Sequence, residues 1–290
     1  MPDYLNTRCC KLIVFTILAI VLFANSSVRA EEAFRVCADP NNPPHSNQKL
    51  EGFENEIAAM FSEELGQSVE YTWFPQRIGF IRNTLKAKLP DKDIYKCDVV
   101  MGVPAGYEMT LTTQAYYRSI YGMIFPKGRG LDELKKPEDL TLLPPERKEK
   151  LKLALFDRGP GTAWIVKNGF VEQGVPYQSM TGDPDNNTAT TMDRDFKAGV
   201  IDLAILWGPM AAYLISNSPP GTYAFLPMIS SPGMKFDFPM AMGVRYGDNE
   251  RKEQLDQLIS EKSEQILEIL KRHNVPLVDP EGLLLFVPGN

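Results

Sequence analysis

Histidine is almost absent: only His45 and His273 occur in 290 residues, and neither forms a ligand cluster with a cysteine. That removes the usual basis for a metal centre, and nothing else in the chain calls for a cofactor. No serine stands with a neighbouring base as a nucleophile would, and no internal repeat or low-complexity tract occurs, which excludes a propeller enzyme. After residue 30 no apolar run reaches the length needed to cross a bilayer. Basic residues are in deficit, 31 Lys and Arg against 37 Asp and Glu, for a net charge of −6. The deficit opposes nucleic acid and anionic membrane surfaces. The acids are spread out rather than clustered, which suits solubility. Asp183 and Asp185, in TGDPDNN, read as a turn rather than a catalytic pair.

What is present starts with an export signal. Arg8 and Lys11 precede an apolar core from Leu12 to Ala24, and Val28-Arg29-Ala30 places small residues for cleavage after Ala30. The core is too short for a membrane anchor, so residues 1–30 are expected to be removed and the chain to be periplasmic. Loss of Asp3, Arg8, Lys11 and Arg29 leaves 28 basic and 36 acidic residues, a net of −8. Cys9 and Cys10 precede the apolar core, so neither is placed as a lipoprotein cysteine. The remaining pair, Cys37 and Cys97, suggests a disulfide closing a loop of 60 residues; two buried free thiols are the alternative.

The mature length suits two lobes, and strands alternate with helices. FRVCAD, VEYTWF and CDVVMGV read as strands. Phe53 to Leu65 reads as an amphipathic helix ended by Gly66, and Gln76 to Lys86 as a helix weakened by Gly79. LTTQAYYRSIYGMIFPKG is an extended crossover, and Lys127 to Lys150 a charged surface connection. KLALFD opens a second α/β unit. FDFPMAMGVRYGD returns the chain, Arg251 to Arg272 forms one long helix opened by Asp248-Asn249, and Pro276 to Asn290 packs as a strap. The expected boundaries are 1–30 for the signal, 31–122 with 236–290 for lobe 1, and 123–235 for lobe 2.

Four segments fall at cleft edges, beyond the carboxyl ends of strands. Asp39, Asn41 and Asn42 lie in DPNNPP, where prolines stiffen and the asparagines offer donors and acceptors. Gly102, Tyr107 and Glu108 lie in GVPAGYE, where glycine admits close backbone approach and tyrosine gives a flat face. Arg158, Gly161 and Thr162 lie in DRGPGT, ahead of a helix whose exposed N–H groups suit a carboxylate or phosphate; the loop lacks the lysine and spacing of a P-loop. Trp207 opens the turn WGP between the strand IDLAIL and the next helix. Gln76 and Arg77 sit at the cleft mouth in YTWFPQRIGFIR, an aromatic-basic stretch whose rings are mostly core but whose residue types also suit a partner surface. Tyr116-Tyr117-Arg118 is a second such group.

This order resembles solute-binding protein family 3, and so implies a type II periplasmic binding protein fold of class α/β, two α/β lobes joined by two crossover strands. In the amino-acid receptors of that family an arginine after the third strand and an acid at the WGP turn grip the ligand. Here Met109 falls near the first place and Trp207 takes the second. A zwitterion buried without both partners costs several kcal/mol for each charge. The segments RVCADPNNPP, GFENEIA, YTWFPQRIGFIRNTL, CDVVMGVPAGYE, LTTQAYYRS and DLAILWGPMAAYL more narrowly resemble the MoxJ/XoxJ group, exported proteins encoded with PQQ-dependent (quinoprotein) methanol dehydrogenases and their cytochromes. Lys88 to Lys96 reads as an insertion. The resemblance implies a non-enzymatic accessory whose partners are the quinoprotein methanol dehydrogenase and its cytochrome c. The alternative is a transport receptor for a small apolar or aromatic solute.

Overall fold

Phe34–Ala38 (β1) is buried except at Arg35 because it runs between two parallel neighbours, Val69–Trp73 (β4) and Val99–Pro104 (β5). In the register Val36 lies opposite Tyr71 on one side and Val99 on the other. Between β1 and β4 the chain makes a two-residue ribbon, Asn41–Asn42 (β2) with Ser46–Asn47 (β3), and then helix Phe53–Leu65 (α1). Phe53, Ile57, Ala58 and Phe61 form the buried stripe of α1, and Gly66 ends it at φ 60°, where glycine carries no Cβ penalty. The computed structural model describes residues 33–287. The signal segment, its cleavage after Ala30, and Cys9 and Cys10 lie outside the described residues.

The expected helix over 76–86 contracts to Phe80–Asn83 (α2). Gly79 sits at φ 94° and Thr84 leaves helical geometry, so neither end can propagate. Leu111–Pro126 (β6) is the long crossover. Beyond it, Lys127 to Lys150 is less superficial than its charge suggests. A 3₁₀ turn at Pro137–Leu142 and the short helix Pro145–Lys148 (α3) bury Leu131, Leu134, Leu140 and Leu143.

The second unit holds Leu153–Phe156 (β7), Pro160–Lys167 (α4), Gly174–Tyr177 (β8), Thr188–Lys197 (α5), Leu203–Trp207 (β9), Gly208–Ser216 (α6) and Tyr223–Pro227 (β10). Asp237–Val244 (β11) brings the chain back. The strand order is β4-β1-β5-β11-β6-β9-β7-β8, with β10 on the far end of β6. β6 therefore serves two units: its first part pairs with β11, and its last part with β9 and β10. Arg118 and Asp237 form an ion pair across the β6–β11 ladder. The core is divided in the same way. One cluster joins β1, β5 and α1 to the C-terminal helices, and two others flank the β6-β9-β7 region. These features make two α/β lobes joined by β6 and β11.

The long C-terminal helix is two helices, Asn249–Glu261 (α7) and Ser263–Arg272 (α8), broken at Lys262. The break lets Leu255 and Leu258 of α7, and Ile266 and Ile269 of α8, reach one core. The tail forms a hairpin, Leu277–Val278 (β12) with Leu284–Phe286 (β13), buried at Leu277 and Val278 and exposed at Leu283 to Leu285. The thiols of Cys37 and Cys97 are joined in a disulfide with Cα atoms 5.4 Å apart. Among the described residues no helix is long and apolar enough to cross a membrane.

Candidate functional site

A cleft of about 550 Å³ opens between the lobes. The end of β1 delivers Asp39 to its rim, where Oδ1 accepts from the Asn41 N–H at 2.8 Å and Oδ2 from the Gln76 N–H. Burial raises the Asp39 pKa, and these two bonds oppose the rise. Asn42 Nδ2 donates to Gln76 Oε1 at 3.0 Å. Asn41 crosses the cleft: its Nδ2 donates to the Pro184 carbonyl, and its Oδ1 accepts from Asn187 Nδ2, both at 2.9 Å.

The opposite wall is aromatic. Trp207 ends β9, directly across the ladder from Tyr121 of β6, with ring centroids 5.2 Å apart. Phe238 of β11 completes the group at 6.1 Å from Tyr121 and 6.2 Å from Trp207. Arg158 borders both the main cleft and an adjoining recess of about 110 Å³. Gly161 and Thr162 line only that recess. Thr162 Oγ1 is committed to the Phe156 carbonyl at 2.7 Å, and a Cβ on Gly161 would lie 2.9 Å from Ile205 Cβ, so glycine there permits close packing of α4 on β9.

Three of the expected residues line neither space. Tyr107 packs with Met109 against the cluster around the disulfide and Phe80. Glu108 offers its carbonyl to the Tyr246 hydroxyl at 3.1 Å. The cause is the turn at 105–110, closed by bonds from Tyr107 N to Pro104 O and from Thr110 N to Tyr107 O, which rolls the chain back onto lobe 1. Arg77 lies over the Phe74 ring at 4.8 Å, with its stem close to Gly182. Met109 consequently packs against that cluster, so of the two replaced charge positions only Trp207 lies on the cleft.

Four residues and one segment contribute without a signal in the sequence that placed them there. Glu54, in the first turn of α1, lies on Gly102: a Cβ there would stand 2.3 Å from Glu54 Oε1. Among the described residues no donor reaches its carboxylate. Burial, with the Asp39 charge adding to it, pushes its pKa up to about 8. His45 lies tilted against Phe53 with ring centroids 5.0 Å apart, leaves Nδ1 unpartnered, and is held neutral by burial with a pKa of about 4. Tyr121 and Phe238 sit in strands that read only as crossover. The TGDPDNN segment is part of a cap over the cleft, contributing Thr181, Asp183 and Asn187 to its lining. Among the described residues no group of three potential ligands could hold a metal.

No family model matches the chain. It is 28% identical over 263 residues to Protein MoxJ of Methylorubrum extorquens, a match covering 84% of this chain and 81% of that protein. It is 29% identical over 208 residues to Protein MoxJ of Paracoccus denitrificans, covering 69% of this chain and 71% of the relative. Among solved structures, the crystal structure of periplasmic binding protein XoxJ from Methylobacterium extorquens AM1 aligns with a TM-score of 0.66 at 29% identity, over 85% of this chain and 100% of that one. The chain is thus a homologue of MoxJ and XoxJ and has the periplasmic binding protein fold.

Proposed function

We propose that this chain is a periplasmic, binding-protein-like accessory that supports or activates a quinoprotein methanol dehydrogenase, with that enzyme and its cytochrome c as partners. One observation carries the reading: similarity to MoxJ and XoxJ runs through both lobes rather than through one motif. Export by residues 1–30 fits the disulfide, which forms and persists in an oxidising compartment. The lobes divide near residues 122 and 236, so the cleft lies between two bodies that a partner can engage together. The chain carries no catalysis of its own in this reading; it binds and presents.

Affinity capture from the periplasm of methanol-grown cells, under mild crosslinking, is expected to recover the dehydrogenase. Repeated recovery of this chain alone would sink the reading. The cleft itself favours a second reading, a transport receptor for a small solute, because its volume lies within the range of small-molecule sites, about 300–1,000 Å³. A true solute at one hundred times its Kd would stabilise the fold by roughly 2.7 kcal/mol, a readily measured thermal shift.

A further inference from the structure

We propose that the interlobe cleft binds an organic cation, an ammonium group on an apolar body, with the Glu54 carboxylate holding the charge and the Trp207, Tyr121 and Phe238 rings holding the body. The proposal rests on the reading of this chain as a binding-protein-like molecule whose cleft is its working site.

Charge sets the sign of the ligand. Among the described residues that line the cleft, the acids Asp39, Glu54 and Asp183 stand against the one guanidinium of Arg158. Asp39 already accepts two backbone N–H bonds. Arg158 leans on Asp157 at 3.4 Å, and its side chain is 58% exposed. Glu54 is different: its side chain is only partly buried and lines the cleft, and its carboxylate has no donor among the described residues, so it is the acid left free to meet a ligand. An anion placed there would add repulsion, whereas an ammonium would supply the missing donors and the opposite charge.

Space and surface set the rest of the ligand. Gly102 leaves the gap in which the Glu54 carboxylate lies, since a Cβ at that position would collide with Oε1 at 2.3 Å. Across the cleft three rings with centroids 5.2 to 6.2 Å apart present apolar area and electron-rich faces, which attract cations through the ring quadrupole. The volume of about 550 Å³ admits a ligand of this kind.

Binding is then coupled to a proton. The titratable groups beside Glu54 are Asp39 after β1, Tyr71 on β4, and Tyr116 and Tyr117 on β6, with His45, whose carbonyl accepts the Glu54 N–H at 2.9 Å, lining the same cleft. Of these only Asp39 carries charge at neutral pH, because burial holds the histidine neutral and raises the tyrosines. Empty of ligand, Glu54 keeps its proton below about pH 8 and releases it when a cation arrives.

The test is isothermal titration calorimetry of the exported chain with phenethylammonium and its neutral counterpart 2-phenylethanol. At about pH 9 the ammonium is expected to bind at least tenfold tighter than the alcohol, and the advantage to shrink up to tenfold by about pH 7. Glu54→Gln, nearly isosteric, is expected to bind both probes alike while keeping the wild-type circular dichroism. Equal affinity of the two probes in the wild type, or a preference that survives in Glu54→Gln, overturns the proposal. A capped Ala-Lys-Ala peptide identifies the source: tighter binding than the free amine assigns the cation to a polypeptide side chain, weaker binding to a small solute. No dehydrogenase is present in this assay, so its failure leaves the accessory reading standing, and a failed capture leaves the calorimetry intact.

Discussion

Asn187 Nδ2 donates to Asn41 Oδ1 at 2.9 Å, tying the loop after β1 to the residue that caps α5. Asn41 returns a second bond, also 2.9 Å, to the Pro184 carbonyl. These two contacts fasten the cap over the cleft to lobe 1.

Asn41→Ala is expected to loosen that cap while leaving the global fold in place. Each lost bond contributes about 0.5–1.5 kcal/mol, with the more exposed one at the low end. Hydrogen exchange across residues 179–188 should accelerate while the β1 and β5 amides stay protected. Unchanged exchange in the cap would remove the latch.

Asn187→Ala should cost more, because Asn187 Oδ1 also accepts from the Thr190 N–H at 2.9 Å as the N-cap of α5. The added penalty is about 1 kcal/mol. Urea midpoints of the two variants, compared directly, read out the difference; equal midpoints would deny the cap its role.

The paired substitution Cys37→Ser with Cys97→Ser should lower stability by roughly 4 kcal/mol, the chain-entropy value for the 60-residue loop. Thermal melts with and without reductant check this. A reductant-insensitive wild type would mean that the bridge contributes nothing.

Gly208→Ala should destabilise by about 1–3 kcal/mol through overpacking. The added Cβ would stand 2.4 Å from the Ile120 carbonyl oxygen and 2.8 Å from the Pro276 ring, and the backbone oxygen cannot swing away. A melting temperature equal to wild type would show that α6 can shift off β6.

Glu54 should make stability fall as pH rises. Its pKa goes from an ordinary 4.5 to about 8 in the folded chain. Between those values the folded state keeps a proton that the unfolded state has released, so raising the pH favours unfolding, and the slope ends above about pH 8. Glu54→Gln should flatten this part of the profile in denaturant titrations across that range. A slope unchanged by the substitution would place the proton elsewhere.

Local patterns carried much of the fold. The apolar runs around Cys37 and Cys97 marked buried parallel strands, and their pairing brought the two thiols together. Trp207 was legible because a strand running into Gly-Pro must turn there. The helix over 76–86 shortens because Gly79, already its weak point in the sequence, adopts a positive φ that periodicity does not register. The break at Lys262 was hidden because helix-forming residues run through it without interruption. Glu54 was missed for a different reason. An acid in the first helical turn ordinarily faces water, and only the docking of α1 over Gly102 turns it toward the cleft. Tyr107 and Glu108 lie off the cleft because of the 105–110 turn, whose direction depends on hydrogen bonds rather than composition.

β6 and β11 are bonded to each other along Asp237 to Val244, and the Arg118–Asp237 pair clamps that ladder. They behave as one two-ply leaf, not two cords. Twisting one half of the molecule against the other would shear those rungs, so bending the leaf is the softer motion by which a cleft occupant would draw the halves together.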